Sequence, residues 1–132
     1  MALLISSTLP DETEAVVSEI IGCALTVHRT LGPGFLESIY TTALAMELSV
    51  NGIAFERERS ISVSYRGIAI PGQRVDFIVA DSVIVEVKAV ARLDPIFQAK
   101  LISYLRTTRL RAGLLINFNS MLLKEGLKRI VL

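Results

Sequence analysis

The apolar residues of this chain repeat at two different spacings, and the change between them falls in one place. Val16, Val17, Ile20, Ile21, Ala24, Leu25, Val27 and Leu31 recur at helical intervals after Asp11. Gly32-Pro33-Gly34 interrupts that pattern, and Leu36, Ile39, Tyr40, Ala43, Leu44 and Leu48 resume it over residues 35–50. Asn51-Gly52 ends the second helix, and from Phe55 the period drops from 3.6 to 2. Strands are expected at 55–65, 68–80 and 83–90, with Arg66-Gly67 and Asp81 at the turns and an interruption near Pro71-Gly72. Asp94-Pro95 opens a third helix to about Arg109, and the run Ala112-Gly113-Leu114-Leu115-Ile116 reads as a buried strand within 111–118. Residues 128–132 offer a further terminal strand. The order is ααβββαβ, an α/β (α+β) chain whose mixed four-stranded central sheet is flanked by helices.

Composition narrows the class. Of the 132 residues 52% are apolar and 20% charged, below the roughly 25% charge of an average soluble domain. A disordered chain is excluded, and one domain over 11–132 after a flexible N-terminus at 1–10 is expected. Glu19 interrupts the longest apolar stretch, so no membrane span is expected. With no basic start and small-residue cleavage site of a signal peptide, a cytoplasmic location fits. The one cysteine, Cys23, forms no internal disulfide and no thiolate zinc cage. Charge is uneven. Residues 1–50 hold six acids against Arg29, a net −5, and residues 51–132 hold thirteen bases against seven acids, a net +6. Lys88, Arg92, Lys100, Arg106, Arg109 and Arg111 make the basic segment, with Asp94 its one acid. Composition leaves two readings of it open, a phosphate-binding face and an ordinary solvated helix face.

With Asp81 at the centre of the second turn, Asp76 falls opposite Glu86, their Cβ atoms about 4.5–5.5 Å apart. Lys88, two residues on, projects from the same face, and Val85 and Val87 point into the core. Like charges facing each other repel, and a hard divalent cation such as Mg²⁺ resolves that repulsion with carboxylate oxygens. Lys88 is then placed to orient or help deprotonate an attacking water. The alternative is a structural cluster in which Lys88 neutralises both acids.

Gly72-Gln73-Arg74-Val75-Asp76, then Glu86-Val87-Lys88 after nine intervening residues, resembles the D…ExK signature of the PD-(D/E)XK nuclease superfamily. Gly34-Phe35-Leu36-Glu37-Ser38-Ile39-Tyr40 is similar to the G-x-x-E-x-x-Y motif of the GxxExxY family within it. Val27 to Pro33 and Gly113 to Phe118 extend the likeness, which spans roughly residues 12–131. The resemblance implies a PD-(D/E)XK nuclease-like fold and a metal-dependent phosphodiesterase site on nucleic acid, DNA ahead of RNA. It implies Asp76 and Glu86 as ligands of Mg²⁺ or Mn²⁺, the Val87 carbonyl as a third, and Glu37 as a further ligand, directly or through a water. Lys88 would complete the catalytic set of Glu37, Asp76, Glu86 and Lys88. Lys100, Arg106, Arg109 and Arg111 would meet phosphates. His28, Gly34, Tyr40 and Tyr104 would support the site, Gly34 through its backbone and Tyr40 by packing or by bonding Glu37.

One motif departs from the family. Relatives carry Q-x-x-x-Y on the third helix; here Tyr104 matches, but Lys100 stands where glutamine is expected. Gln98 is nearly opposite on the helix and is no substitute. The competing expectations are therefore a nuclease, a non-catalytic nucleic-acid-binding module, and an oligomerising interaction domain. A mean hydropathy of +0.54 in so small a chain leads to the expectation of a homodimer. Light scattering at micromolar concentration should give twice the chain mass, and a clean monomer mass would remove this expectation.

Overall fold

The computed structural model describes residues 8–132. Helix α1 spans Asp11–Leu31, α2 Glu37–Val50 and α3 Pro95–Thr108. Strands β1 (Phe55–Tyr65), β2 (Ile68–Val79), β3 (Val83–Lys88), β4 (Ala112–Asn117) and β5 (Leu127–Val131) form one sheet in chain order. All neighbours are antiparallel except β3 and β4, which run parallel with α3 as the crossover. The optional terminal strand thus forms, and the mixed sheet has five strands. Among the described residues no helix is long and apolar enough to cross a membrane.

The sheet buries both faces, and the sequence alternation decides what goes where. Phe77, Val79, Val83, Val85 and Val87 meet Val17, Ile20, Ala24 and Val27 of α1 and Tyr40, Leu44 and Leu48 of α2. Ile78, Ile84, Leu115 and Ile130 meet Leu101 and Leu105 of α3. The acids in the first turn of α1 sit where its dipole favours them, and Gly32 ends it with φ 68°. Asp94 caps α3, its Oδ1 accepting the Ile96 N–H at 2.9 Å, with Pro95 as the first helical residue.

The turns follow the expected chemistry. Arg66 and Gly67 have φ of 53° and 78°, the both-positive pattern of a tight hairpin. The β1–β2 register slips between Ile61 and Val63, where Pro71 and Gly72 have no partner across the ladder and Gly72 takes φ 121°. Outward of that bulge the hairpin is exposed, Val63, Tyr65, Ile68 and Ile70 included. Of the expected flexible end, residues 1–7 lie outside the described residues. Leu9 is buried in the α1–α2 core, and Thr8 accepts Arg111 through both its carbonyl and its hydroxyl.

The seating of α3 depends on one glycine. A Cβ on Gly113 of β4 would lie 2.9 Å from Leu101 Cδ1, a fully buried side chain. Gly113→Ala should therefore push α3 off the sheet and cost about 1–3 kcal/mol. Denaturant titration checks this; unchanged stability would mean that Leu101 yields freely.

Candidate active site

The backbone ladder between β2 and β3 runs through Val79–Val83, Ile78–Ile84 and Phe77–Val85, and stops there. One step further the side chains take over. The Asp76 N–H donates to Glu86 Oε2 at 3.1 Å, and the Val87 N–H donates to Asp76 Oδ2 at 2.8 Å. The register around Asp81 is as expected and sets the two acids face to face. One oxygen of each carboxylate, Asp76 Oδ1 and Glu86 Oε1, stays outside these bonds.

Glu86 is only 7% exposed. Burial, then the Asp76 charge and carboxyl contact, raise its pKa to about 8, with the Asp76 N–H and the Lys88 ammonium opposing. The acids thus hold a proton well above the ordinary carboxylate range, as a coupled pair should.

Lys88 lies half-buried at the end of β3. Among the described residues no carboxylate lies within 4.0 Å of its ammonium, so the salt-bridged cluster does not form. Its Nζ instead sits over the Phe97 ring, 4.6 Å from the centroid. Glu86, Lys88, Phe97, Lys100 and Tyr104 line one narrow cleft. Burial, then the charges of Glu86 and Asp76, raise the Tyr104 pKa, so its hydroxyl stays protonated beside the acids. A larger cavity of about 350 Å³, bordered by Ile61, Ile78 and Thr107, holds neither carboxylate of the pair.

Glu37 approaches from the other layer, as the first residue of α2. Its pKa is raised by partial desolvation, lowered by Lys88 and raised by Asp76, so it lies within electrostatic range of both. It does not close in as a third ligand: among the described residues no three His, Cys, Asp or Glu side chains gather to hold a metal. The loop before it is latched. The Tyr40 hydroxyl donates to the Gly32 carbonyl at 2.5 Å and accepts the Phe35 N–H at 3.0 Å, and its ring stacks on Phe118. Tyr40 therefore serves the loop backbone, not Glu37. Gly34 takes φ 108°, which favours glycine, and its N–H donates to Asn119 Oδ1 at 3.1 Å. His28 Nε2 donates to the Ser120 carbonyl at 2.7 Å and is an anchor for that same turn.

The basic segment is split. Only Lys88 and Lys100 reach the cleft. Arg106 and Arg109 lie at the far end of α3. Arg111 precedes β4, at the opposite end of the β3–β4 pair from Lys88, which aligns with Asn117. Its guanidinium is taken by Thr8 and the Leu132 carbonyl.

Three residues escaped the sequence reading. Phe97 shares a helical stripe with Lys100 and Tyr104, at spacings of three and seven, which was the available signal. Asn117, 3% exposed, accepts the Val90 N–H and donates to the Val90 carbonyl, both at 3.0 Å. Asn119 donates to the same carbonyl at 3.3 Å. For these two, an Asn run after a buried strand signalled only a turn.

The donor set suits a hard divalent cation. Two carboxylates in contact, each with an oxygen outside the backbone bonds, hold a proton where a cation would replace it. The raised pKa also fixes a pH dependence. A carboxyl that holds its proton more tightly folded than unfolded contributes stability below the unfolded pKa, 4.5, and loses it as pH rises through about 8. The melting temperature of the metal-free protein should fall across pH 4.5–8, and Glu86→Gln should flatten the fall. A wild-type profile flat over that window would show that Glu86 ionises normally.

Comparison with known families places this geometry. The family model of the PD-(D/E)XK nuclease superfamily matches residues 14–130. No curated protein and no solved structure matches the chain. The match covers nearly all of the sequence, from α1 to β5, and takes in the Asp76, Glu86 and Lys88 constellation; this chain belongs to the PD-(D/E)XK nuclease superfamily.

Proposed function

We propose that the protein is a divalent-metal-dependent nuclease of the GxxExxY type, hydrolysing phosphodiester bonds of DNA ahead of RNA. The observation that carries this is the contact between Asp76 and Glu86 with an ammonium beside them that neither neutralises. Asp76 and Glu86 would hold Mg²⁺ or Mn²⁺, with the Val87 carbonyl and, through water, Glu37 completing the set. The ion would supply positive charge at the scissile phosphate and acidify a water. Lys88 would orient that water and stabilise charge on the phosphate, and Lys100 would contact a flanking phosphate. Gly34 and Tyr40 hold the turn before Glu37, His28 anchors the turn at Ser120, and Tyr104 offers a protonated hydroxyl to the cleft. Arg106 and Arg109 would meet the nucleic acid only along a path over the far end of α3, and Arg111 only on release from Thr8. A cytoplasmic homodimer belongs to the same proposal, supported by the high mean hydropathy and the exposed apolar side chains of the outer β1–β2 hairpin.

The non-catalytic binding module is the second reading, favoured by Lys100 in the glutamine position. Melting temperature against Mn²⁺ and cleavage of labelled DNA and RNA oligonucleotides decide between them. Mn²⁺ should stabilise the wild type, and Asp76→Asn should abolish the response while leaving the metal-free fold intact or firmer. Lys88→Ala should keep the response and lose cleavage by roughly a hundredfold or more. An Asp76→Asn protein that answers Mn²⁺ as the wild type does would show the site to be wrong. Metal binding without cleavage of any oligonucleotide would favour the binding module.

A further inference from the structure

We propose that Phe97 is a positioning residue for Lys88, its ring face holding the ammonium in place beside the carboxylate pair; this rests on the nuclease reading above. The Nζ lies 4.6 Å from the ring centroid, well inside cation–π range. Lys88 shares a sheet face with Glu86 and Asp76 and has a flexible four-carbon stem. Ion pairing with one of those acids is the obvious resting place for it. Yet no carboxylate lies within 4.0 Å of the ammonium among the described residues, and the Nζ sits over the ring instead.

The two partners would have different consequences. A carboxylate occupies N–H donors and cancels the charge. An aromatic face attracts the charge without accepting a conventional hydrogen bond, which leaves ammonium donors for a phosphate oxygen and an attacking water. A ring also keeps its hold when the carboxylates turn to a metal ion.

The platform is itself fixed. Phe97 is the third residue of α3, its N–H donates to the Asp94 carbonyl at 3.0 Å, and the Asp94 side chain caps the same turn. Its ring packs on the cluster of Leu101 and Leu105, which seats α3 on the sheet. The position of the ammonium is thereby referred to the helix frame.

The experiment replaces Phe97 in the full chain by phenylalanines carrying one, two and three ring fluorines, and by Tyr and Leu. Fluorine drains the ring face of negative potential with little change of shape, so the series separates electrostatics from packing. Turnover on a labelled oligonucleotide should fall stepwise with fluorine number. Phe97→Leu should lose roughly tenfold and Phe97→Tyr should stay near wild type. KM and the Mn²⁺ dependence of melting should not change. Turnover that is flat across the fluorinated series overturns the proposal, whether or not Phe97→Leu folds. A parallel measurement keeps the two readings distinguishable. The ring should shift the Lys88 ε-methylene protons upfield in the wild-type NMR spectrum, and Phe97→Leu should remove that shift. A wild type that cuts neither DNA nor RNA overturns the nuclease reading, and with it the positioning role. The upfield shift then reports the resting contact alone, and its absence from the wild type overturns that contact as well.

Discussion

Asp76 and Glu86 face each other in a sheet that is otherwise apolar at that depth, and much of the surrounding structure follows from accommodating them. Carboxylates directly opposed across two strands repel, and burial penalises each charge further. Three things offset this here. The Asp76 and Val87 N–H groups turn from the ladder to the carboxylates, a proton stays on the pair until the pH nears 8, and Lys88 adds a positive charge nearby. The first of these has a geometric consequence. Backbone groups that bond side chains cannot bond the neighbouring strand, so the β2–β3 ladder ends at Phe77–Val85. The far end of β3 is then held from its other side, by the parallel ladder to β4, which runs out to Lys88–Asn117.

The same division of labour fixes the loops. Asn117 bonds Val90 through both ends of its amide, and Asn119 reaches from the Val90 carbonyl to the Gly34 N–H. The segment after Lys88 and the segment before Glu37 therefore share one hydrogen-bonded frame. Tyr40 and His28 close it, the first on Gly32 and Phe35, the second on Ser120. The buried Asn117 amide, with both its ends bonded, makes such a frame stiff. The frame ties the start of α2, where Glu37 stands, to the segment that follows Lys88.

What the sequence disclosed and what it hid differ in kind. Period-2 alternation and a turn at Asp81 were enough to set Asp76 against Glu86, because register is discrete and one buried face pins it. The resemblance to the G-x-x-E-x-x-Y motif singled out Glu37, Gly34 and Tyr40. The Tyr40 partner was not legible, since a hydroxyl bonds whichever backbone group the loop brings near, and no spacing rule gives a loop path. Phe97 was hidden for another reason. An aromatic on a helix with Leu101 and Leu105 reads as core, and it is partly core; only the three-dimensional crossing of α3 over the end of β3 brings its ring under an ammonium. Arg111 looked like one more base in a run until its partners, Thr8 and Leu132, came from the two ends of the described chain.

A run of bases in sequence is a line, and the fold bends it. Helix α3 returns antiparallel to β3 as the crossover between parallel strands, so each residue along it moves away from Lys88 by about 1.5 Å. Lys100 stays at the cleft and Arg109 is carried roughly 13 Å further on. The cleft is therefore served by two lysines, and they stand differently toward the acids. Of the two, only Lys88 counters the rise in the Glu86 pKa. Lys100 lines the same cleft but is exposed, where water screens an ammonium from a buried carboxylate. A glutamine there would offer a dipole, whereas the lysine keeps a full charge that the acids do not consume. On the proposed nuclease reading that charge would be left for a phosphate entering the cleft and not for the resting pair.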